Sequence, residues 1–254
     1  MKGICNLCRE EKDLIKKSHI IPDFFYVESG LFSKTHWLKK IKSDEFHQPK
    51  KHSSLPTGEY EGGILCKSCD NEIIGSYEDY IRKVLYGGLS KRNSVYFSQV
   101  KGAIKIEELN YDKFTLFFLS ILWRAAISSR EMFSEIRIDD VNLEKLRVMI
   151  LEGKAKRKRT YPVNIWTYWH DKTIPKDFIP QPYKIENGKT IMYSFLIGGL
   201  LINYYLKSSC FNRVIKNSIS KKGVIIFRFM PGGKEGLEFL KRYGKIRVAN
   251  NVQK

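Results

Sequence analysis

The chain has 254 residues, 43% of them hydrophobic, which is enough for a sizeable buried core in one large domain or two modest ones. Its 45 Lys and Arg against 27 Asp and Glu give a formal net charge of +18. Such a composition excludes a largely disordered chain and makes a polyanion, whether DNA, RNA or an anionic membrane, the expected partner.

The start, Met1-Lys2-Gly3-Ile4-Cys5, lacks the apolar run of a signal peptide. The two most apolar windows, Phe114 to Ala126 and Ile191 to Leu206, are each interrupted by Ser, Asn or Arg and fall short of a membrane span. The expectation is therefore a cytoplasmic protein with no membrane partner. Of five cysteines, four form two pairs of identical spacing, Cys5/Cys8 and Cys66/Cys69, with Cys210 left over as a small buried hydrophobe. That pattern argues for reduced thiols and a metal, not a disulfide framework.

Three regions follow in chain order, and together they predict an α+β fold. Residues 1–93 are polar and hold both cysteine pairs and four histidines, His19, His36, His47 and His52. Ser33 to Thr57 has no period and reads as a surface loop, in which His36, His47 and His52 lack ligand spacing. After Cys69, the spacing of Ile73, Ile74, Tyr77, Tyr80, Ile81, Val84 and Leu85 predicts an amphipathic helix.

Residues 94–153 are expected to be helical. Asn110 can cap a helix with Phe114, Phe117, Phe118, Ile121, Leu122 and Ala125, apolar nearly all round and so buried on several sides, and Val141 to Leu151 repeats the pattern. Residues 154–254 are expected to be antiparallel β. Aromatic and β-branched runs, Tyr161 to Trp169, Ile191 to Leu206 and Val224 to Phe229, are broken at Asn187-Gly188, Gly198-Gly199 and Pro231-Gly232-Gly233. Asn187-Gly188 reads as a two-residue hairpin turn, and a last helix is expected near Lys234 to Arg242. Charge is uneven: residues 1–153 hold 24 basic and 22 acidic side chains, whereas residues 154–254 hold 21 and 5.

Two CxxC turns, each aiming two thiolates at one centre, have the spacing of a closed tetrahedral zinc site. Such a site stabilises a region short of core by on the order of 10 kcal/mol but performs no chemistry. Chemistry has to come from the residues between and after the pairs. Cys5-Asn6-Leu7-Cys8 is followed by Ser18-His19-Ile20-Ile21-Pro22, and Leu65-Cys66-Lys67-Ser68-Cys69-Asp70 opens the predicted helix. In these motifs, over roughly residues 4–85, the sequence resembles the HNH endonuclease family in its four-cysteine, zinc-stabilised form.

The resemblance implies a ββα-metal module in residues 1–93 with His19 as the general base that deprotonates the attacking water. A near-neutral imidazole suits that task. It also implies a catalytic Mg²⁺ or Mn²⁺ beside His19, with Asp70 as a hard-oxygen ligand at the helix start. The family commonly has Asp before this His, and here the residue is Ser18, a weaker ligand, so Asn71 and Glu78 are further candidates. The implied function is hydrolysis of DNA phosphodiester bonds, in bacterial restriction, anti-phage defence or a mobile element. The alternatives are a zinc-stabilised nucleic-acid-binding module without catalysis and an effector subunit active only with a defence-system partner protein.

Secondary signals lie outside this core motif. Glu59 and Glu61 alternate on a predicted strand and read as solvent-facing carboxylates, with the metal as a less favoured destination. Lys16, Lys17, Lys67 and Arg82 read as a solvated basic face near the motif. The run Lys154, Lys156, Arg157, Lys158, Arg159, set in the strongly basic third region, reads as a linker, a localisation-like tract or a phosphate-contacting loop, and is the candidate nucleic-acid contact. Trp166, Tyr168, Trp169, Tyr204 and Tyr205 interleave with that charge, in an alternation that also fits sheet packing.

Overall fold

The computed structural model describes residues 1–28, 38–40, 53–55, 58–87, 95–172, 179–207 and 211–239. His36, His47, His52 and Cys210 lie outside them. The chain begins with a short antiparallel pair, β1 (Lys2–Ile4) and β2 (Glu11–Asp13), followed by β3 (Ser18–His19) and helix α1 (Asp23–Glu28). Within the expected loop from Ser33 to Thr57, β4 (Leu38–Lys40) and β5 (Ser53–Leu55) pair antiparallel, so this stretch is not uniformly irregular. β6 (Tyr60–Glu61) pairs with β3 in the register Ser18↔Glu61 and His19↔Tyr60. A π-helical turn, Ser68–Ile74, then runs without a break into α2 (Gly75–Tyr86), which buries Tyr77, Ile81 and Val84 on one face as the 3.6-residue period predicts.

The region expected to be helical opens instead with a β-hairpin, β7 (Tyr96–Val100) and β8 (Ala103–Glu107), joined at Lys101-Gly102. The Tyr96-Phe97-Ser98-Gln99-Val100 run and the glycine after it are strand and turn signals that the longer helical pattern downstream overshadows. α3 (Tyr111–Ile127) follows, its Asn110 cap accepting from the Lys113 amide at 2.9 Å. α3 is buried all round: Phe114, Leu116, Phe117, Phe118, Leu119, Ile121, Leu122 and Ala125 are fully enclosed. After a 3₁₀ turn at Glu131–Phe133 comes α4 (Asp140–Glu152), capped by Asp139 and ended by Gly153 in the left-handed region.

The remaining strands are β9 (Val163–Thr167), β10 (Tyr183–Glu186), β11 (Ile191–Ile197), β12 (Leu200–Lys207) and β13 (Ile225–Phe229), with helix α5 (Phe211–Lys216) between the last two. Residues 233–239 are helical, in line with the expected last helix. These strands and the β7–β8 hairpin make one seven-stranded sheet in the order β10-β11-β12-β9-β13-β8-β7. Every pair is antiparallel except β9 with β13. In the C-terminal region a two-residue turn falls at Gly198-Gly199, both at positive φ, between Ile197 and Leu200. Asn187-Gly188 instead belongs to a four-residue connection, since Glu186 pairs with Ile191 and the Asn187 carboxamide oxygen accepts from the Thr190 amide.

Alternation along β11 sends Tyr193, Phe195 and Ile197 into the main core and Leu196 to the opposite face, where Tyr168, Tyr183, Leu201 and Met230 cover it. The main core is continuous across the three regions read from sequence. It joins Cys5, Leu7, Ile20, Phe25, Leu65 and Ile81 to α3, α4 and the sheet. No helix among the described residues is long and apolar enough to cross a membrane.

Candidate metal centre and active site

The ligand atoms of Cys5, Cys8, Cys66 and Cys69 all lie within 4.8 Å of one another. A thiolate tetrahedron with metal–sulfur bonds of about 2.3 Å has edges of about 3.8 Å, so the four are positioned to hold a metal ion, and the all-sulfur set suits structural zinc. The first pair sits on the turn between β1 and β2, where the Arg9 amide donates to the Cys5 carbonyl and Arg9 adopts φ 65°. The second pair enters the π-helical turn, where the Asp70 amide donates to the Cys66 carbonyl at 3.0 Å. The Cys66 amide points at Cys5 Sγ at 3.3 Å, and the Ser68 hydroxyl lies 3.4 Å from Cys66 Sγ. Burial pushes the Cys66 thiol up, but the hydrogen bonds from Ser68 and from Cys69 and Cys5 outweigh it and bring the thiol down to about 7. α4 backs the cluster, with Arg147 donating to the Leu7 carbonyl and pairing with Glu144 at 2.7 Å.

The β3–β6 pair and the helix beginning at Ser68 bring His19 and Asp70 to one place. The Ser18 hydroxyl, fully buried, donates to Oδ1 of Asp70 at 2.6 Å. Ser18 is thus spent on orienting Asp70. Nε2 of His19 is buried and has no hydrogen-bond partner among the described residues. Burial holds the His19 imidazole below its ordinary range; Asp23 and Asp70 pull it back up, while Arg124 and Lys17 push it further down. A neutral imidazole with an unengaged nitrogen, next to an oriented carboxylate, can accept a proton.

The remaining sequence candidates separate. Asn71 is exposed on the π-helical turn. Glu78, expected about two turns along the helix from Asp70, is committed to Arg124, its Oε1 lying 2.7 Å from Nη2. Burial pushes the Glu78 carboxyl up against the opposing pull of that guanidinium. Glu61 is not solvent-facing: its carboxylate accepts from the Ser128 hydroxyl at 2.5 Å, the Ser129 hydroxyl at 2.7 Å and the Ser129 amide at 3.0 Å. Arg130 adds a bond from Nε to the Tyr60 carbonyl at 2.8 Å. The end of α3 and the residues just past it therefore grip β6. The close fit of β6 also explains Gly62, since a Cβ there would stand 2.6 Å from the Lys16 carbonyl oxygen.

The basic run leads from α4 towards β9 and is held down at its start. The Ala155 amide donates to Asp112 at 2.9 Å, the Tyr111 hydroxyl donates to the Lys156 carbonyl at 2.6 Å, and Lys221 Nζ reaches the Ala155 carbonyl at 3.4 Å. Lys154, Lys156, Arg157 and Arg159 are exposed and Lys158 is half-buried. Lys221 and Lys222 join them on the surface, a proximity hidden by the long stretch of chain between Arg159 and Lys221. Of the interleaved aromatics, Tyr168 and Tyr204 are buried in the sheet packing, and Trp169 donates to the Gly198 carbonyl at 2.9 Å.

Arg124 is the residue that sequence reasoning passed over. Its signal is a charge in the last turn of a largely apolar helix, a residue type almost never fully buried unless paired. No family model matches the chain, and neither a curated protein nor a solved structure matches it.

Proposed function

We propose that the protein is a metal-dependent endonuclease of HNH type that hydrolyses DNA phosphodiester bonds, in restriction or anti-phage defence. The observation that carries the reading is the buried Nε2 of His19, unpartnered among the described residues, beside an Asp70 carboxylate oriented by Ser18, next to four cysteines placed to hold a metal. The β3–β6 pair followed by the helix from Ser68 is the order of elements that the resemblance implies.

His19 takes a proton from the attacking water at Nε2. The water oxygen bonds to phosphorus as the bond to the 3′ oxygen breaks, and that oxygen leaves with a proton from solvent. Asp70, with Asn71 beside it, offers hard oxygen donors of the kind that hold Mg²⁺ or Mn²⁺. The ion, when bound, supplies charge stabilisation at the phosphate and the leaving oxygen. The basic run, with Lys221 and Lys222, supplies sequence-independent phosphate contacts. Asp112, which holds that run, and Arg124, which holds His19, are twelve residues apart on α3, about 18 Å along the helix axis. A duplex rising about 3.4 Å per base pair covers that length in roughly five pairs.

Incubating the protein with plasmid and Mg²⁺ or Mn²⁺ tests the reading. Cleavage is expected, with His19→Ala slowed by roughly 100-fold or more. Cutting retained by that variant would remove His19 from its role.

A binding module without catalysis is favoured by one specific observation: with Ser18 and Glu78 engaged elsewhere, Asp70 is the one carboxylate left from the candidate ligand set. DNA binding without cleavage under either metal would decide for it. Cleavage appearing only with a defence-system partner would make the chain an effector subunit.

A further inference from the structure

Arg124 lies on α3, outside the segment that resembles the nuclease family, yet it touches that segment directly. Its side chain is 2% exposed. Burying a guanidinium costs several kcal/mol unless its donors are matched, so its partners define its role. Nη1 donates to the backbone carbonyl of His19 at 2.5 Å, Nη2 stands 2.7 Å from Glu78 Oε1, and Nε reaches the Ser120 carbonyl at 3.4 Å. β3, α2 and α3 meet at this one side chain, and buried Tyr204 of β12 lies close enough to feel its charge.

We propose that Arg124 is a positioning residue for the candidate active site, its guanidinium fork fixing the β3 backbone at His19 and the Glu78 carboxylate of α2 together. The consequence for catalysis rests on the nuclease reading; the clamp itself does not. The β3–β6 pairing, with flanking backbone bonds from the Ile20 amide to the Glu59 carbonyl and from the Gly63 amide to the Ile15 carbonyl, aligns the strand, and Arg124 adds a hold at the His19 carbonyl itself. The bond to the His19 carbonyl fixes the backbone next to the Cα that carries the imidazole. The Glu78 carboxylate stands at the other edge of the fork as an ion-pair contact, Oε1 to Nη2, at 2.7 Å. Lys keeps the charge but, as a single ammonium on a flexible stem, cannot bridge both partners in this geometry. An ion pair of this kind is not required for stability, because apolar replacement of a buried pair is often neutral or better. The contact with the His19 carbonyl is the part that stability leaves unexplained.

The test compares the full-length wild type with Arg124→Lys, Glu78→Gln and the double variant Arg124→Met/Glu78→Gln, which removes both charges and leaves neither buried alone. Zinc content and thermal midpoint report the fold. Amide exchange at Ile20, whose N–H donates to the Glu59 carbonyl at 2.9 Å, reports the β3 clamp, with Ile165 in the sheet as internal reference. In the folded double variant and in Arg124→Lys, Ile20 exchange is expected to accelerate at least about tenfold relative to Ile165, while Glu78→Gln alone retains protection. Plasmid cleavage should lose roughly tenfold or more in kcat with KM for DNA little changed. Unchanged Ile20 exchange in Arg124→Lys or in the folded double variant overturns the clamp. If the double variant unfolds, Arg124→Lys decides alone. A wild type that cuts nothing defeats the nuclease reading, and the exchange measurement still decides the clamp.

Discussion

Ser18 and Asp70, 52 residues apart, are joined by a 2.6 Å hydrogen bond in which the serine hydroxyl donates to the carboxylate. Ser18, which stands where the HNH pattern that the sequence resembles commonly has Asp, is fully buried and holds the Asp70 carboxylate in place. Ser18→Ala is expected to lower divalent-metal affinity or cleavage by about 10- to 100-fold, the usual cost of losing a group that orients a ligand. Ser18→Asp, which supplies the usual family residue, sets a second carboxylate against Asp70 in a buried place, and like charges there are unfavourable. Its thermal midpoint should fall without divalent metal and recover when Mn²⁺ is added. A Ser18→Asp protein as stable as wild type in the absence of metal would contradict the geometry.

What the sequence made legible was periodic or chemically specific. The all-round apolar α3, the Asn110 cap and the helix after Cys69 came from spacing, because burial on a 3.6-residue period leaves a pattern in one dimension. The four cysteines came together as expected, since a metal site demands its ligand types and local turns. Relationships between distant segments left no such trace. Glu61 on a two-residue strand carries no sign that Ser128 and Ser129 will take its carboxylate. Arg124 declares that it needs a partner but not which one, and the β7–β8 hairpin gives no hint that it will pair with β13. Tertiary proximity decides these, and a single sequence does not encode it as a period.

The basic run is anchored through its backbone carbonyls and amides, with no ion pair to its Lys and Arg side chains among the described residues, which makes it a direct test of where phosphates are held. Converting Lys154, Lys156, Arg157, Lys158 and Arg159 to Gln should weaken duplex binding and flatten the log–log salt slope by about 0.9 for each phosphate that the protein no longer neutralises. Adding Lys222→Gln should reduce the slope further. Lys221 is best left intact, because it reaches the Ala155 carbonyl and stacks 3.9 Å from the Tyr111 ring centre. Bound zinc should not change. Filter binding over a salt series reads the slope, and a slope equal to wild type would place the DNA elsewhere.

The Asp139 cap of α4 carries a pH dependence whose sign is set by its partners. The Asn142 side chain and amide, at 2.7 and 3.0 Å, hold the Asp139 carboxyl below its ordinary value of 3.8. A depressed carboxyl stabilises the fold above its unfolded value, and that contribution fades as pH falls through the folded one. Asp139→Ala should cost about 1 kcal/mol at neutral pH, the usual worth of a cap. The gap between variant and wild type should narrow as pH drops below 3.8. Urea unfolding of both proteins at each pH measures the difference, so acid effects common to the two cancel. A gap that stays constant into acid would mean that the carboxylate contributes nothing as an ion.

Metal removal should reach well beyond the two cysteine turns. Cys5, Cys66 and Cys69 belong to the same core as Phe25, Ile81 and α3, and Arg147 of α4 bonds the Leu7 carbonyl between the first pair. The thiol cluster therefore holds one wall of the core, and four thiols stripped of their ion would repel one another if ionised and lie buried without partners if protonated. Treatment with a strong zinc chelator is expected to release one equivalent of zinc and to lower the thermal midpoint. Near-ultraviolet signals from buried Trp123 and Tyr204, which belong to that core, should change with it. Cys66→Ser should prevent zinc uptake and reproduce the chelated state without chelator. If the cluster were only a local staple, chelation would free residues 1–28 and leave the Trp123 environment and the unfolding transition of the sheet as they were. The continuous core predicts instead a single coupled loss, with zinc release and the aromatic signal sharing one midpoint along a chelator titration.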